Sequence, residues 1–195
     1  MLYIVPTPRE RMVISTALLI RERGAHSTAI SDVLEHSGAP RGSAYHYFPG
    51  GRTQLLCEAV DYAAEYTAAR VAKAADSLAA VDVIMDGFRA QLIESDYRAG
   101  CPVVAVAVEA DNQPVIDRAA AAFTRWTELI AQRLESDGVT GERAEELAML
   151  LMTSIEGAIV VARTARDPKP IDLVHRQLRA IVAAATEHGS TRDDR

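Results

Sequence analysis

The side chains best suited to chemistry fall between residues 28 and 48, in the stretch TAISDVLEHSGAPRGSAYHYF. Its second half places small residues beside hydrogen-bonding ones: Arg41, Gly42, Ser43, Tyr45, His46 and Tyr47. Small side chains let a helix approach a groove closely, and guanidinium, hydroxyl and imidazole groups can bond to phosphates or base edges. The pattern therefore predicts recognition of DNA.

Two short helices must hold these side chains. Thr28 can cap the first helix, and Gly38 suits the left-handed residue that ends it. Pro40 fits the start of the second helix. A helix, a tight turn and a second helix form a helix-turn-helix, whose second helix enters the major groove. We expect Thr28, at a helix N-terminus, and the cation Arg52 to contact phosphates.

The charge of the chain does not indicate DNA binding by itself. The formal net charge is −6, with +2 on residues 1–55 and −8 on the remainder. Screening confines a field to about 8–10 Å at physiological salt, so a basic end on an acidic body can still approach DNA. The inference rests on the motif, and a plain helical hairpin with a polar face is the alternative.

The composition predicts an all-α protein of about nine helices. Hydrophobic residues make up 49% of the chain, with Ala the commonest, and aromatic residues only 5%. This mixture suits close-packed helices better than a sheet. The segment CPVVAVAVEAD at 101–111 alternates like a strand, but a lone strand would have no partner, so a short buried helix is favoured.

Residues 9–62 resemble the N-terminal DNA-binding domain of the tetracycline-repressor (TetR) family. The resemblance is carried by RERG at 21–24, RGSAYHYFPGG at 41–51 and RTQLL at 52–56. GCPVVAVAVE at 100–109 and SIEGAIVVAR at 154–163 look like regulators related to the lincomycin-resistance repressor. Pro40 departs from the family's usual polar helix cap, and Ala44 replaces a larger apolar residue.

The resemblance implies a DNA-binding domain at 1–52, a three-helix head, and a ligand-binding and dimerisation domain at 53–195. It implies a cytoplasmic bacterial homodimer, most simply a repressor released from a palindromic operator by a small apolar or aromatic effector. The alternative is a helical small-molecule-binding protein, or an enzyme, that kept the head but lost DNA binding.

Two helices of the body, at about 142–166 and 171–187, are expected to form a four-helix dimer interface with those of a second subunit. The predicted interface residues are apolar or small: Leu151, Ile155, Ala158, Ile159, Ala162, Leu178 and Ile181. They are too apolar to face water. The alternative is that the first of these helices is the central core helix of the body.

An effector pocket is expected among large apolar or soft side chains of the body, with one thiol and one carboxylate beside them. The candidates are Tyr66, Met85, Phe88, Cys101, Glu109, Phe123, Trp126, Met149 and Met152. Methionine and tryptophan suit a pocket for varied apolar ligands, although core packing is the alternative for each residue. Glu109 or Glu156 could orient a cationic ligand if buried.

The remaining patterns argue against other classes of protein. Ser43 and His46 have no acid to complete a catalytic set, and no phosphate-binding glycine loop appears, so no enzyme is expected. Cys57 and Cys101 match no metal spacing, so neither a metal nor a cofactor is expected. There is no run of 18 apolar residues and no secretory signal, which predicts no membrane span and a reducing compartment.

Overall fold

The computed structural model describes residues 6–190, and of residues 188–190 only the backbone. This part of the chain consists of helices and connecting turns, which confirms the all-α expectation. The helices are α1 (Pro8–Arg23), α2 (Ile30–Ser37), α3 (Ser43–Tyr47), α4 (Gly51–Lys73), α5 (Ser77–Glu94), α6 (Pro102–Glu109), α7 (Gln113–Ser136), α8 (Gly141–Ala165) and α9 (Lys169–Ser190). The alternating valines belong to α6, so the helical interpretation of that segment is confirmed.

The start of α1 shows how local side chains set a helix boundary. The hydroxyl of Thr7 accepts from the backbone N–H of Glu10, and the Glu10 carboxylate accepts from the backbone N–H of Thr7 at 2.7 Å. These bonds satisfy donors that a helix start leaves open. The Thr7 backbone and hydroxyl bonds also lower the pKa of Glu10. Gly24, with φ of 87°, ends the helix.

The chain forms two compact units. Among the described residues, the head unit contains residues 6–64 together with Cys101–Ala122, and the body unit contains Glu65–Gly100 and residues 123–190. Helices α4 and α7 each contribute residues to both units. The packing thus divides the chain at other points than residue 52, and the functional boundary expected there stays a prediction.

The head unit has a small apolar core beneath the helix-turn-helix. Its buried members are Met12, Val13, Leu19, Val33, Ala39, Ala44, Phe48 and Leu55. Ile30, Leu34 and Tyr47 pack against its edge. Helix α1 lies against both α2 and α6, so α6 belongs by packing to the head unit.

The body unit is built around α8, which packs against α5 and α9. Polar bonds join α5 to α9: His175 Nε2 lies 2.7 Å from Asp82 Oδ1, and Arg89 donates to Asp172 at 2.8 Å. Burial raises the pKa of Asp82, but hydrogen bonds from Arg179 and His175 outweigh burial and hold this pKa below its ordinary value. These bonds fix the register of the two helices.

Helix α8 is more apolar than expected from a sequence that has no uninterrupted run of 18 apolar residues. It is the one described helix with the length and composition of a membrane span, and 44% of the relevant window is buried inside the subunit. A helix in the core of a protein that does not enter a membrane can have the same length and composition. The rest of this window is not buried in the subunit, so α8 has apolar surface that the core does not cover.

Candidate nucleic-acid interface and ligand cavities

The turn of the helix-turn-helix is closed by Pro40 and Ser43. Gly38 ends α2 in the left-handed conformation, with φ of 64°. The backbone N–H and the hydroxyl of Ser43 both donate to the carbonyl of Pro40, at 2.9 and 2.7 Å. Helix α3 therefore begins at Ser43, three residues later than expected. Pro40 closes the turn and does not start the helix.

Helix α3 has one anchored side and one open side. Ala44 and Phe48 are buried in the head core, at 2% and 1% exposure, and Tyr47 packs half-buried at its edge. Tyr45 is 71% exposed, and His46 is exposed as well. The His46 and Tyr47 rings meet edge to face with centroids 5.2 Å apart. The small Ala44 lets the five-residue helix sit directly on the core.

The structure brings four of the eight predicted DNA-binding residues to one exposed surface. Arg41 and Gly42 are exposed in the turn that leads into α3, next to the open side that carries Tyr45 and His46. Ser43 also lies at this end of α3, but its hydroxyl already donates to Pro40. We define Arg41, Gly42, Tyr45 and His46 as the recognition surface.

Thr28 does not have the role predicted for it. It is buried, its hydroxyl donates to the Gly24 carbonyl at 2.8 Å, and its N–H bonds to the Ala25 carbonyl. The cap position of α2 is Ala29, whose N–H donates to the Asp32 carboxylate. The Thr28 hydroxyl is therefore unavailable to a phosphate, because it fastens the loop after α1.

Arg52 is likewise hydrogen-bonded within the head unit. Its Nε donates to the Thr28 carbonyl at 3.0 Å, and its Nη2 donates to the carbonyls of Ala25 and His26. A guanidinium has a fixed fork of donors, and here the fork clamps the loop between α1 and α2. The prediction of a phosphate contact through these donors was wrong, since backbone carbonyls take them.

Two residues predicted for the effector pocket also belong to the head unit. Cys101 is buried and directly precedes the first residue of α6. Glu109 ends α6 and accepts from the backbone N–H of His26 at 3.3 Å. Its carboxylate lies so close to Gly24 that a Cβ there would be 2.0 Å from Oε2. Glu109 thus fastens α6 to the loop after α1, a contact that the sequence analysis missed.

The body unit contains a groove between α7 and α8 with a volume of about 810 Å³. Three predicted pocket residues line it: Phe123, Met149 and Met152. A smaller inner cavity of about 20 Å³ is lined by Phe88, Trp126 and again Met152, among others. Five of the nine predicted residues are therefore divided between two cavities, and Met152 lines both.

Two other pocket candidates line neither cavity. Tyr66 is 58% exposed, and the Arg70 guanidinium lies over its ring, 5.8 Å from the centroid. Met85 is completely buried in the core of the body unit. Tyr66 thus lies on a solvent-exposed side of α4 and Met85 lies in the core, and a ligand contact of either residue stays a prediction.

The residues predicted for the dimer interface are core residues of a single subunit. Leu151, Ile155, Ala158, Ile159, Ala162 and Leu178 are each less than 5% exposed, and Ile181 is half-buried. Leu151, Ile155, Ala158, Ile159 and Ala162 are buried residues of α8, which packs against α5 and α9 of its own chain, as the alternative of a central core helix describes. Leu178 and Ile181 belong to α9. The exposed side of α8 carries other residues: Leu150, Gly157, Val160, Val161 and Thr164.

Comparisons with known proteins agree with this geometry. The family model "Bacterial regulatory proteins, tetR family" matches residues 15–59, and "Transcriptional regulator LmrA/YxaF-like, C-terminal domain" matches residues 77–177. An HTH-type transcriptional regulator of Mycobacterium tuberculosis is 61% identical over 184 residues, covering 91% of this chain and 95% of that protein. The HTH-type transcriptional regulator LmrA of Bacillus subtilis is 29% identical, covering 84% and 90%.

Solved structures share the fold. A TetR transcriptional regulator from Chloroflexus aurantiacus superposes with a TM-score of 0.71 at 28% identity, covering 90% of this chain and 94% of that one. The regulatory protein TetR from Rhodobacter sphaeroides has a TM-score of 0.78 at 19% identity, covering 89% and 97%. Taken with the family models and the helix-turn-helix, these matches show that the chain belongs to the TetR family of DNA-binding transcriptional regulators, with a C-terminal domain of the LmrA/YxaF type.

Proposed function

We propose that the chain is a cytoplasmic homodimeric repressor that leaves a palindromic operator when a small molecule binds its body unit. The observation that carries the proposal is the division of α3 into two sides. Ala44 and Phe48 fix the helix to the head core, while Tyr45 and His46 project from it beside Arg41. A rigidly held helix with exposed donors is what major-groove reading requires.

The dimer is supported by the uncovered side of α8 and the neighbouring side of α9. Leu150, Val160 and Val161 are 45–54% exposed on α8, and Leu173 is 46% exposed on α9. We define the dimer face as Leu150, Gly157, Val160, Val161 and Thr164 of α8 with Leu173 and Ala180 of α9. Gly157 and Ala180 are small enough for helices to approach closely. A two-fold axis through this face would present two recognition surfaces to half-sites about 34–36 Å apart.

The effector response is supported by the groove between α7 and α8. Its volume of about 810 Å³ suits a drug-sized molecule, and Phe123, Met149 and Met152 give it an apolar lining. Helix α4 runs without a break from Gly51 in the head unit to Lys73 in the body unit. A ligand would act by binding more tightly to the conformation that does not fit the operator.

The experiment uses fluorescence anisotropy with duplexes from the region upstream of the protein's own gene. Specific binding should weaken steeply with added salt, because phosphate contacts release counterions. We expect Arg41→Ala and Tyr45→Ala each to weaken specific binding by roughly 1–3 kcal/mol, about five- to 150-fold. Tyr62→Ala, which removes another exposed tyrosine, is the matched control and should bind as the wild type does.

Unchanged affinity in both recognition-surface variants would refute the assignment of α3. Absence of specific DNA binding by the folded wild-type protein, together with tight binding of a small molecule, would favour the helical ligand-binding protein that kept only the head.

A further inference from the structure

The groove between α7 and α8 combines an apolar floor with an acidic rim. The floor is formed by Phe123, Ala131, Met149 and Met152. The rim carries three exposed carboxylates, Glu128 and Glu135 from α7 and Glu145 from α8, and the half-buried Glu156 of α8 adds a fourth to the lining. The other lining residues are neutral: Thr124, Thr127, Gln132 and Thr153. The lining therefore has a formal charge of −4, since it contains no cationic side chain.

The cations nearest in sequence bind other groups. Arg133, two residues before Glu135, donates to the Ala72 carbonyl at 3.1 Å. Arg125 of α7 pairs with Glu65 at 2.5 Å, and Arg143 of α8 pairs with Glu146 at 2.9 Å. Within the described part of the chain, no ion pair involves Glu128, Glu135 or Glu145. Their charges accordingly point to a cationic occupant.

The spacing of the carboxylates indicates the size of that occupant. Glu128 and Glu135 are seven residues apart on α7, which is roughly 10 Å along the helix axis. Glu145 and Glu156 are eleven residues apart on α8, roughly 16 Å. A compact metal ion needs several ligand atoms at about 2.0–2.6 Å, whereas this charge extends along the groove. It fits an organic cation with an extended apolar body.

The inner cavity offers the apolar part of such a cation a second contact surface. Met152 and Glu156 line both the groove and the inner cavity, so they form the wall between the two. Phe88 and Trp126 lie on the inner side of this wall. Methionine is unbranched and changes rotamer readily, so it can yield to a ligand. Aromatic faces beyond it attract cations as well as apolar groups.

We propose that the α7–α8 groove binds an amphipathic organic cation, with the charge near the glutamates of the rim and the apolar part on Phe123, Met149 and Met152. The proposal rests on the effector-responsive function above, since it names the chemical class of the effector. It narrows the expectation of a small apolar or aromatic effector, in which Glu156 was one of two residues that could orient a cationic ligand, because here charge takes part in the selection.

The test compares two probes of nearly equal shape and opposite charge, tetraphenylphosphonium and tetraphenylborate. Trp126 is the single tryptophan of the chain, is 3% exposed and lines the inner cavity, so its fluorescence reports binding in the full-length protein. We expect saturable binding of the phosphonium that weakens with ionic strength, and at least about tenfold weaker binding of the borate. Equal affinity for the two probes would overturn the proposal.

A double variant, Glu128→Gln with Glu145→Gln, tests the carboxylates. Both residues are exposed, so the isosteric change should keep the helix content while reducing phosphonium affinity about tenfold. Glu142→Gln, an exposed change on α8 outside the groove, is the matched control and should bind normally. Unchanged phosphonium affinity in the double variant would overturn the proposal, as would tighter binding of an oligolysine peptide than of the phosphonium.

Operator release is measured separately by anisotropy, so that the two proposals can fail independently. Carboxylate-dependent phosphonium binding without release supports the cation site but refutes its role as the effector site. Release by a neutral or anionic compound, with the phosphonium failing to bind, supports a ligand-responsive regulator and overturns the cation proposal.

Discussion

Replacing Gly157 by leucine is expected to produce a folded monomer. Gly157 is an exposed residue in the middle of α8, and a Cβ built there has no atom within 4 Å in the same subunit. The subunit therefore has room for the new side chain. Leucine is also favoured over glycine in a helix interior by roughly 0.8–1 kcal/mol, so the isolated fold should not weaken.

In the dimer the same leucine would meet the partner's dimer face. A two-fold interface brings the same patch of both subunits together, so one substitution acts twice. Overpacking a close contact costs about 1–3 kcal/mol per site, which gives about 2–6 kcal/mol for the pair. At about 1.4 kcal/mol per factor of ten, the dissociation constant should rise by roughly 30-fold to 10⁴-fold.

Sedimentation equilibrium over a range of concentrations measures this change. The wild type should have twice the chain mass of 21.1 kDa, and the Gly157→Leu variant should approach 21.1 kDa with unchanged helix content by circular dichroism. Gly141→Leu is the matched control, because its Cβ site is equally open but lies at the first residue of α8. A Gly157→Leu dimer as tight as the wild type would refute the dimer face, and a monomeric wild type would refute the homodimer.

Two further predictions concern the body unit. Leu151→Ala should lower the free energy of unfolding by about 2–5 kcal/mol in urea titrations, because Leu151 is 1% exposed, whereas Leu150→Ala, at 45% exposure, should cost far less in a monomeric background. The lowered pKa of Asp82 means that its bonds to Arg179 and His175 stabilise the fold above the ordinary aspartate value of 3.8 and are lost as pH falls below it. Asp82→Asn should therefore lose less stability on acidification below pH 4, measured by urea unfolding at several pH values.

Equal losses in Leu151→Ala and Leu150→Ala would contradict the orientation of α8. An acid dependence that is identical in Asp82→Asn and the wild type would contradict the role of the α5–α9 bonds.

Sequence periodicity predicted the helices well because its signals are local. The alternation in α6 was resolved correctly, since no neighbouring segment could pair with a strand. The two-sided character of α3 also follows from adjacent residues, with Ala44 and Phe48 four positions apart and therefore on one side of a helix. What such patterns leave open is which neighbour covers a given face.

Helix α8 illustrates the limit. Its apolar residues occupy both the side of Leu151 and Ile155 and the side of Leu150 and Val161. The more continuous stripe was assigned to the dimer, yet the subunit uses it for its own core. Burial against α5 and α9 depends on contacts between segments that are distant in sequence. The order of apolar residues in α8 alone therefore could not show which of its two apolar sides is buried in the subunit.

The misassigned polar residues have a related cause. Thr28 and Arg52 have the right types and positions to bind phosphate. The Thr28 hydroxyl, however, donates to the Gly24 carbonyl, and Arg52 donates to the carbonyls of Ala25, His26 and Thr28 itself. A carbonyl acceptor has no signature in the sequence, because every residue carries one. Only the path of the loop after α1 reveals that these donors face inward.

The arrangement of α8 also supplies a physical route from ligand to dimer. Around its axis the helix presents three sides in turn: the core side with Leu151, the groove side with Met152 and Glu156, and the dimer face with Gly157 and Val161. If a cation bound in the proposed groove displaces the groove side of α8, the proposed dimer face should move with it, because both belong to the same helix. If ligand affinity differs between two dimer geometries, thermodynamic linkage requires the ligand to shift the balance between them by the same factor. The spacing of the two recognition surfaces would change with that balance, and operator affinity with it.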